Sequence, residues 1–117
     1  MTKLMETYKP FSVVVVPFPF TDQNHTKRRP AVVLSRVKHQ EQTGHVTVVM
    51  ITSAKNSHWP SDYEIKQLSV TGLQASSMVR QKIFTLDNRL IMSQIGQLAA
   101  IDKKALGRML EEHLMIL

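Results

Sequence analysis

Four consecutive β-branched residues, Val13-Val14-Val15-Val16, stop at Pro17, and this run restricts the possible folds more than any other feature of the chain. Valine loses side-chain freedom on a helix and packs well on a pleated surface, while proline removes a ladder donor. The run therefore predicts a short strand covered on both faces, entered after the turn-prone Lys9-Pro10. Two similar runs follow at hairpin-like spacing: Ala31-Val32-Val33-Leu34 after Pro30, and Val46-Thr47-Val48-Val49-Met50-Ile51 after Thr43-Gly44. Residues 62–65 alternate polar and apolar and predict a weaker strand. Residues 77–84 and 89–92 predict another pair, joined by Thr85-Leu86-Asp87-Asn88.

The period changes only at the end. Leu106, Met109, Leu110, His113, Leu114 and Leu117 recur at three- and four-residue steps, which aligns them on one helix face. Asp102 is placed to act as N-cap, worth about 1 kcal/mol, with the helix running from Lys103. Gly107 costs the helix about 1 kcal/mol relative to alanine, so close packing on the sheet or local weakness is expected there. Short strands followed by one terminal helix exclude βαβ units. They predict a mainly β chain with a C-terminal helix, folded as an SH3-like small barrel. With 117 residues, no composition break and no repeat, residues 1–117 are expected to form a single domain.

Composition removes several classes of function. The absence of cysteine excludes a disulfide framework and a thiolate zinc site, and suits a reducing cytosol. The apolar run near the N-terminus is interrupted by Pro17 and Pro19 and lacks a small-residue cleavage site, and no stretch is long enough to span a bilayer. A cytoplasmic protein with no membrane partner is expected. The five histidines form no zincin pair, no Asp-rich loop suggests calcium, and no glycine-rich phosphate cradle precedes a helix. No metal or other cofactor is expected. Fifteen Lys and Arg against nine Asp and Glu give +6, which points to a polyanionic partner, either nucleic acid or an acidic protein, though surface charge for solubility has the same composition.

The segment Pro17-Phe18-Pro19-Phe20-Thr21-Asp22-Gln23-Asn24-His25-Thr26-Lys27-Arg28-Arg29-Pro30 joins two apolar strands with far more than the two to five residues a connecting hairpin needs. It ends in three cations. Pro30 pushes Arg29 out of the α region, so this guanidinium is presented at the mouth of the second strand on a stiff backbone.

Pro-Phe-Pro-Phe-Thr-Asp, then Lys-Arg-Arg-Pro-Ala-Val-Val-Leu-Ser, then a strand ending in Ile51-Thr52-Ser53, resembles the MazF/PemK family of toxin ribonucleases from toxin–antitoxin pairs. The similarity continues through residues 77–90, Gln94-Ile95-Gly96-Gln97-Leu98 and the terminal helix. The resemblance implies a homodimer of SH3-like barrels that cuts single-stranded mRNA to a 2′,3′-cyclic phosphate and a 5′-hydroxyl. It also implies neutralisation by a cognate antitoxin. In the family the Arg before the proline and a Thr or Ser ending the third strand carry the chemistry, which here assigns Arg29 and Thr52. Two positions depart from the pattern. Phe11-Ser12 replaces the Gly-Asp that leads into the first strand, and many relatives carry an acidic residue near Gln81, a further candidate RNA contact.

Cleavage of this kind uses the RNA's own 2′-hydroxyl as nucleophile, so the protein must position a nucleotide, move protons and stabilise charge on phosphorus. The planar fork of Arg29 suits charge stabilisation. Arginine is a poor proton shuttle, because its pKa exceeds about 12. His25, in the same loop, is the candidate for assisting proton transfer, although a solvated loop histidine is the commoner outcome for the residue type. Thr52 is a candidate hydrogen-bond donor to the scissile phosphate, with Ser53 beside it on the opposite strand face. Lys27 and Arg28 are expected to grip flanking phosphates. Trp59, in a polar segment, either stacks a base or packs at a dimer interface. Two rival readings keep the fold and discard the chemistry: a toxin that inhibits DNA gyrase by binding it, and an RNA-binding module that does not cut.

Overall fold

The structure is a computed structural model that describes residues 5–18 and 27–115. Six strands form one antiparallel sheet: β1 (Ser12–Phe18), β2 (Lys27–Val33), β3 (His45–Ser53), β4 (Tyr63–Glu64), β5 (Ser77–Asp87) and β6 (Ser93–Gln97), in the order β4-β5-β3-β2-β1-β6. Helix α1 (Val37–Thr43) links β2 to β3, and α2 (Ala100–His113) follows β6. The three apolar runs fall in β1, β2 and β3, as their β-branched composition predicts.

The sheet is strongly curled, the small-barrel form expected from the sequence. Gly72 and Gly96 permit the closure. A side chain on Gly72, at φ +78°, would collide with the backbone carbonyl of Ile95 on β6. One on Gly96 would collide with the backbone of Val70 and Thr71. The segment leading from β4 towards β5 thus lies backbone-to-backbone on the opposite edge strand, which a residue with a Cβ could not allow.

Alternation along the strands divides the core between two faces. Val14, Val16, Ala31, Val33, Val46, Val48 and Met50 pack together with Tyr8 and Ile91. Val13, Val32, Val49, Ile51 and Val79 pack on the other side beneath Leu98, Leu106 and Met109. Burying Leu106 and Met109 of α2 contributes roughly 2 kcal/mol each.

Several boundaries differ from the sequence expectation. Helix α2 begins at Ala100 with Ala99 as its N-cap, so Asp102 is not a cap. Its fully buried carboxylate accepts instead from Tyr63 Oη (2.7 Å) and from the backbone N–H groups of Lys66 (2.9 Å) and Gln67 (3.0 Å). A carboxylate in the first turn still gains from the helix dipole while it fastens a distant segment. Nothing lies within 4 Å of a Cβ built on Gly107, so its place in α2 reflects no close packing. His113 and Leu114 are exposed; among the described residues of the stripe Leu106 and Met109 are buried and Leu110 is partly buried, while Leu117 lies outside the described residues. The strand expected at 89–92 starts later, at Ser93. β5 runs to Asp87, whose carboxylate accepts from Arg89 N–H at 2.8 Å and so starts a tight turn over Asn88–Leu90. Phe11 holds φ +72°, the left-handed conformation that glycine would take without strain. Its amide donates to Val33 O (2.7 Å) and its carbonyl accepts from Leu98 N (3.0 Å), which fixes it there.

Candidate active site

β2 and β3 are antiparallel neighbours, with Ala31 opposite Met50. Arg29 lies two residues beyond Ala31 on one strand and Thr52 two residues beyond Met50 on the other. Period-two alternation puts both on the sheet face that α2 does not cover. There they line one open cleft of about 250 Å3 together with Phe18, Met50, Asn56, Arg80 and Lys82.

An irregularity in β5 shapes this cleft. Met50 pairs with Arg80, but Val49 pairs with Ile83, so Gln81 and Lys82 have no partner on β3. Such a bulge bends a strand and redirects its side chains. Arg80 and Lys82 reach the cleft. Gln81 does not. Its amide nitrogen approaches the carbonyl of His113 at 3.4 Å, near the end of α2, and the expected RNA contact at this position is therefore turned away from the cleft.

Arg80 is largely buried and ion-paired. Its Nε and Nη2 donate to the two carboxylate oxygens of Asp62 at 3.1 and 2.8 Å, and Nη2 also donates to the carbonyl of Ser57. Burial alone would raise the Asp62 pKa. The Arg80 hydrogen bonds, the Trp59 N–H and the charges of Arg80 and His58 together hold it below the ordinary carboxylate value. Trp59 covers this pair, with the Arg80 guanidinium carbon 4.6 Å from its ring centre and Lys82 Nζ at 5.4 Å.

Asn56 Nδ2 donates to Thr52 Oγ1 at 2.7 Å. With that oxygen serving as an acceptor, the Thr52 hydroxyl proton is free to be donated elsewhere. Ser53 is exposed on the other side of the strand, where its Oγ accepts from Lys55 N–H at 3.2 Å. Lys27 and Arg28 are exposed on β2, opposite Phe18 and Pro17. Arg28 lines a second, shallow depression of about 830 Å3, and Arg29 borders both depressions. His25 lies outside the described residues. Among the described residues no carboxylate pairs with Arg29, Lys82, Lys27 or Arg28, and no group of three or more His, Asp or Glu could hold a metal ion.

Sequence reasoning missed Arg80, Lys82, Asn56 and Asp62. The one available signal for Arg80 is a cation inside the otherwise apolar Met78-Val79-Arg80 stretch, since a buried arginine requires a partner.

Residues 9–114 match the family of PemK-like, MazF-like toxins of type II toxin–antitoxin systems. Solved structures with the same fold include an endoribonuclease in complex with its cognate antitoxin from a Mycobacterial species, with a TM-score of 0.70 and 15% identity over 92% of this chain and 93% of that one. The Mycobacterium tuberculosis toxin MazF-mt6 aligns with a TM-score of 0.68 and 22% identity over 86% and 93% of the two chains. A MazE-MazF structure from Deinococcus radiodurans gives 0.66 and 23% over 90% and 91%. No curated protein matches the sequence.

Proposed function

Because the chain belongs to the PemK-like, MazF-like toxins of type II toxin–antitoxin systems, we propose that it is a metal-independent endoribonuclease that cuts single-stranded mRNA and thereby stops translation and growth. The observation that carries this reading is the shared cleft of Arg29 and Thr52, in which Arg29 and Lys82 have no carboxylate partner among the described residues.

In the proposed reaction the 2′-oxygen attacks the adjacent phosphorus and loses its proton, while the bond from phosphorus to the 5′-oxygen breaks and that oxygen gains a proton. The products are a 2′,3′-cyclic phosphate and a 5′-hydroxyl. Arg29 stabilises the charge that grows on the phosphate oxygens. Thr52, its oxygen held by Asn56, donates a hydrogen bond to one of them. His25 assists proton transfer. Lys27 and Arg28 hold phosphates beyond the cut, and each one neutralised adds about 0.7 to the salt-dependence slope.

The exposed side chains of Leu90, Met92 and Ile95, on and just before the edge strand β6, favour association with a second copy of the chain. The basic cleft favours an antitoxin that lays an acidic segment across it. Incubating the purified protein with a long mRNA in EDTA tests the central reading. Fragments ending in cyclic phosphate support it, whereas a toxin that acts by binding gyrase leaves the RNA whole.

A further inference from the structure

We propose that Trp59 is the platform on which a base beside the cut stacks, and that Asp62 and Arg80 are positioning residues that hold it in place; this rests on the nuclease reading above. The indole is 41% exposed, which leaves a ring face for a base to cover. The residue is also fixed through its backbone. Its backbone N–H donates to Asp62 Oδ2 at 2.8 Å, its carbonyl accepts from Asp62 N–H at 3.0 Å, and Arg80 ties Asp62 and the Ser57 carbonyl to β5. The segment between β3 and β4 therefore holds the Trp59 backbone in place, with the ring lying over Arg80 on the bulged strand.

The ring adjoins the cleft. Arg80, against its face, and Lys82, 5.4 Å from its centre, both line that cleft with Arg29 and Thr52. An exposed ring beside Lys82, which no carboxylate neutralises among the described residues, matches what an unpaired nucleotide chain offers, a flat base carried on a charged backbone. Lys82 is exposed and on a flexible stem, so an arriving base displaces its ammonium towards the neighbouring phosphate. A dimer contact is the rival role for Trp59, but the cores of protein interfaces are depleted in lysine, and Lys82 lies near this ring.

Trp59 is the chain's one tryptophan, so its fluorescence reports on this position alone. A mixed-sequence 2′-O-methyl RNA oligonucleotide, which lacks the nucleophile, should quench the emission, and an abasic chain of equal length should not. Trp59→Ala should raise KM for mRNA about ten-fold or more with a much smaller change in kcat, and Trp59→Phe should recover most of the loss. Asp62→Asn should weaken the quenching and raise KM by an intermediate factor. Equal quenching by the abasic chain, an unchanged KM in Trp59→Ala, or a change of oligomeric state in that variant overturns the proposal. Quenching by an oligonucleotide in a protein that never cuts RNA leaves the platform standing and removes the nuclease reading instead.

Discussion

The face of the sheet beneath α2 and the face that carries the cleft each bury a charged side chain, and they satisfy it differently. Under α2, Asp102 is fully enclosed and all of its visible partners are the protein's own: Tyr63 Oη and two backbone N–H groups. On the cleft side, Arg80 is matched by Asp62 and Ser57, but Arg29 and Lys82 beside it have no carboxylate partner among the described residues. One face has used its polar capacity internally to fasten the fold. The other keeps donors and charge in reserve, as a site for an anionic ligand requires.

The largest expected effect lies on the cleft face. Arg29→Ala should slow RNA cleavage by about 10²- to 10³-fold, by analogy with the loss of one preorganised donor, while the thermal unfolding midpoint stays in place. Asp102→Ala should do the reverse. Leaving a half-buried hydroxyl and two amides without their acceptor should cost about 2 kcal/mol of stability in chemical denaturation, with the cleavage rate per folded molecule retained.

Titration should break the two faces at opposite ends of the pH scale. Asp62 has a folded pKa below the ordinary 3.8, so the stability it contributes is present above that value and is lost as the pH falls through the lower one. Trp59 emission should change in that acid range. Burial, then the hydrogen bond and charge of Asp102, push Tyr63 up to about 12 from 10.0. Its contribution is therefore present below pH 10 and is lost as the pH rises towards 12, which absorbance of the tyrosinate would follow. The smallest expected effect is a gain. Gly107→Ala places a methyl in open space within a helix and should stabilise the protein by roughly 0.5–1 kcal/mol.

The parts of the fold legible in the sequence are those with a strong local cause. Valine runs bounded by proline or glycine specified β1, β2 and β3, and three- and four-residue spacing specified α2. Helix α1 escaped notice because its seven residues are mostly polar and bury only Gln40, whose bonds to Tyr8 and Asn88 are long-range. The displaced start of β6 has a similar cause. The apolar residues at 90–92 have strand-like composition, but Asp87 and Arg89 close a turn just before them. Asp102 has the right residue type for a cap, yet tertiary partners claimed its carboxylate. At the cleft, Arg29 and Thr52 could be named because the resemblance to the MazF/PemK family assigns them, through motifs that border legible strands. Arg80, Lys82 and Asn56 could not, since a bulge and a folded-back turn bring them there.

The central claim is that Arg29 and Thr52 act together on one phosphate. A double-mutant cycle measures this directly, using single-turnover cleavage of one RNA in EDTA by the parent, Arg29→Ala, Thr52→Ala and the combined variant. Coupled action predicts a combined loss well short of the product of the two single losses. Single variants that cut at the parent's rate, or losses that multiply as if the two side chains were independent, would contradict it.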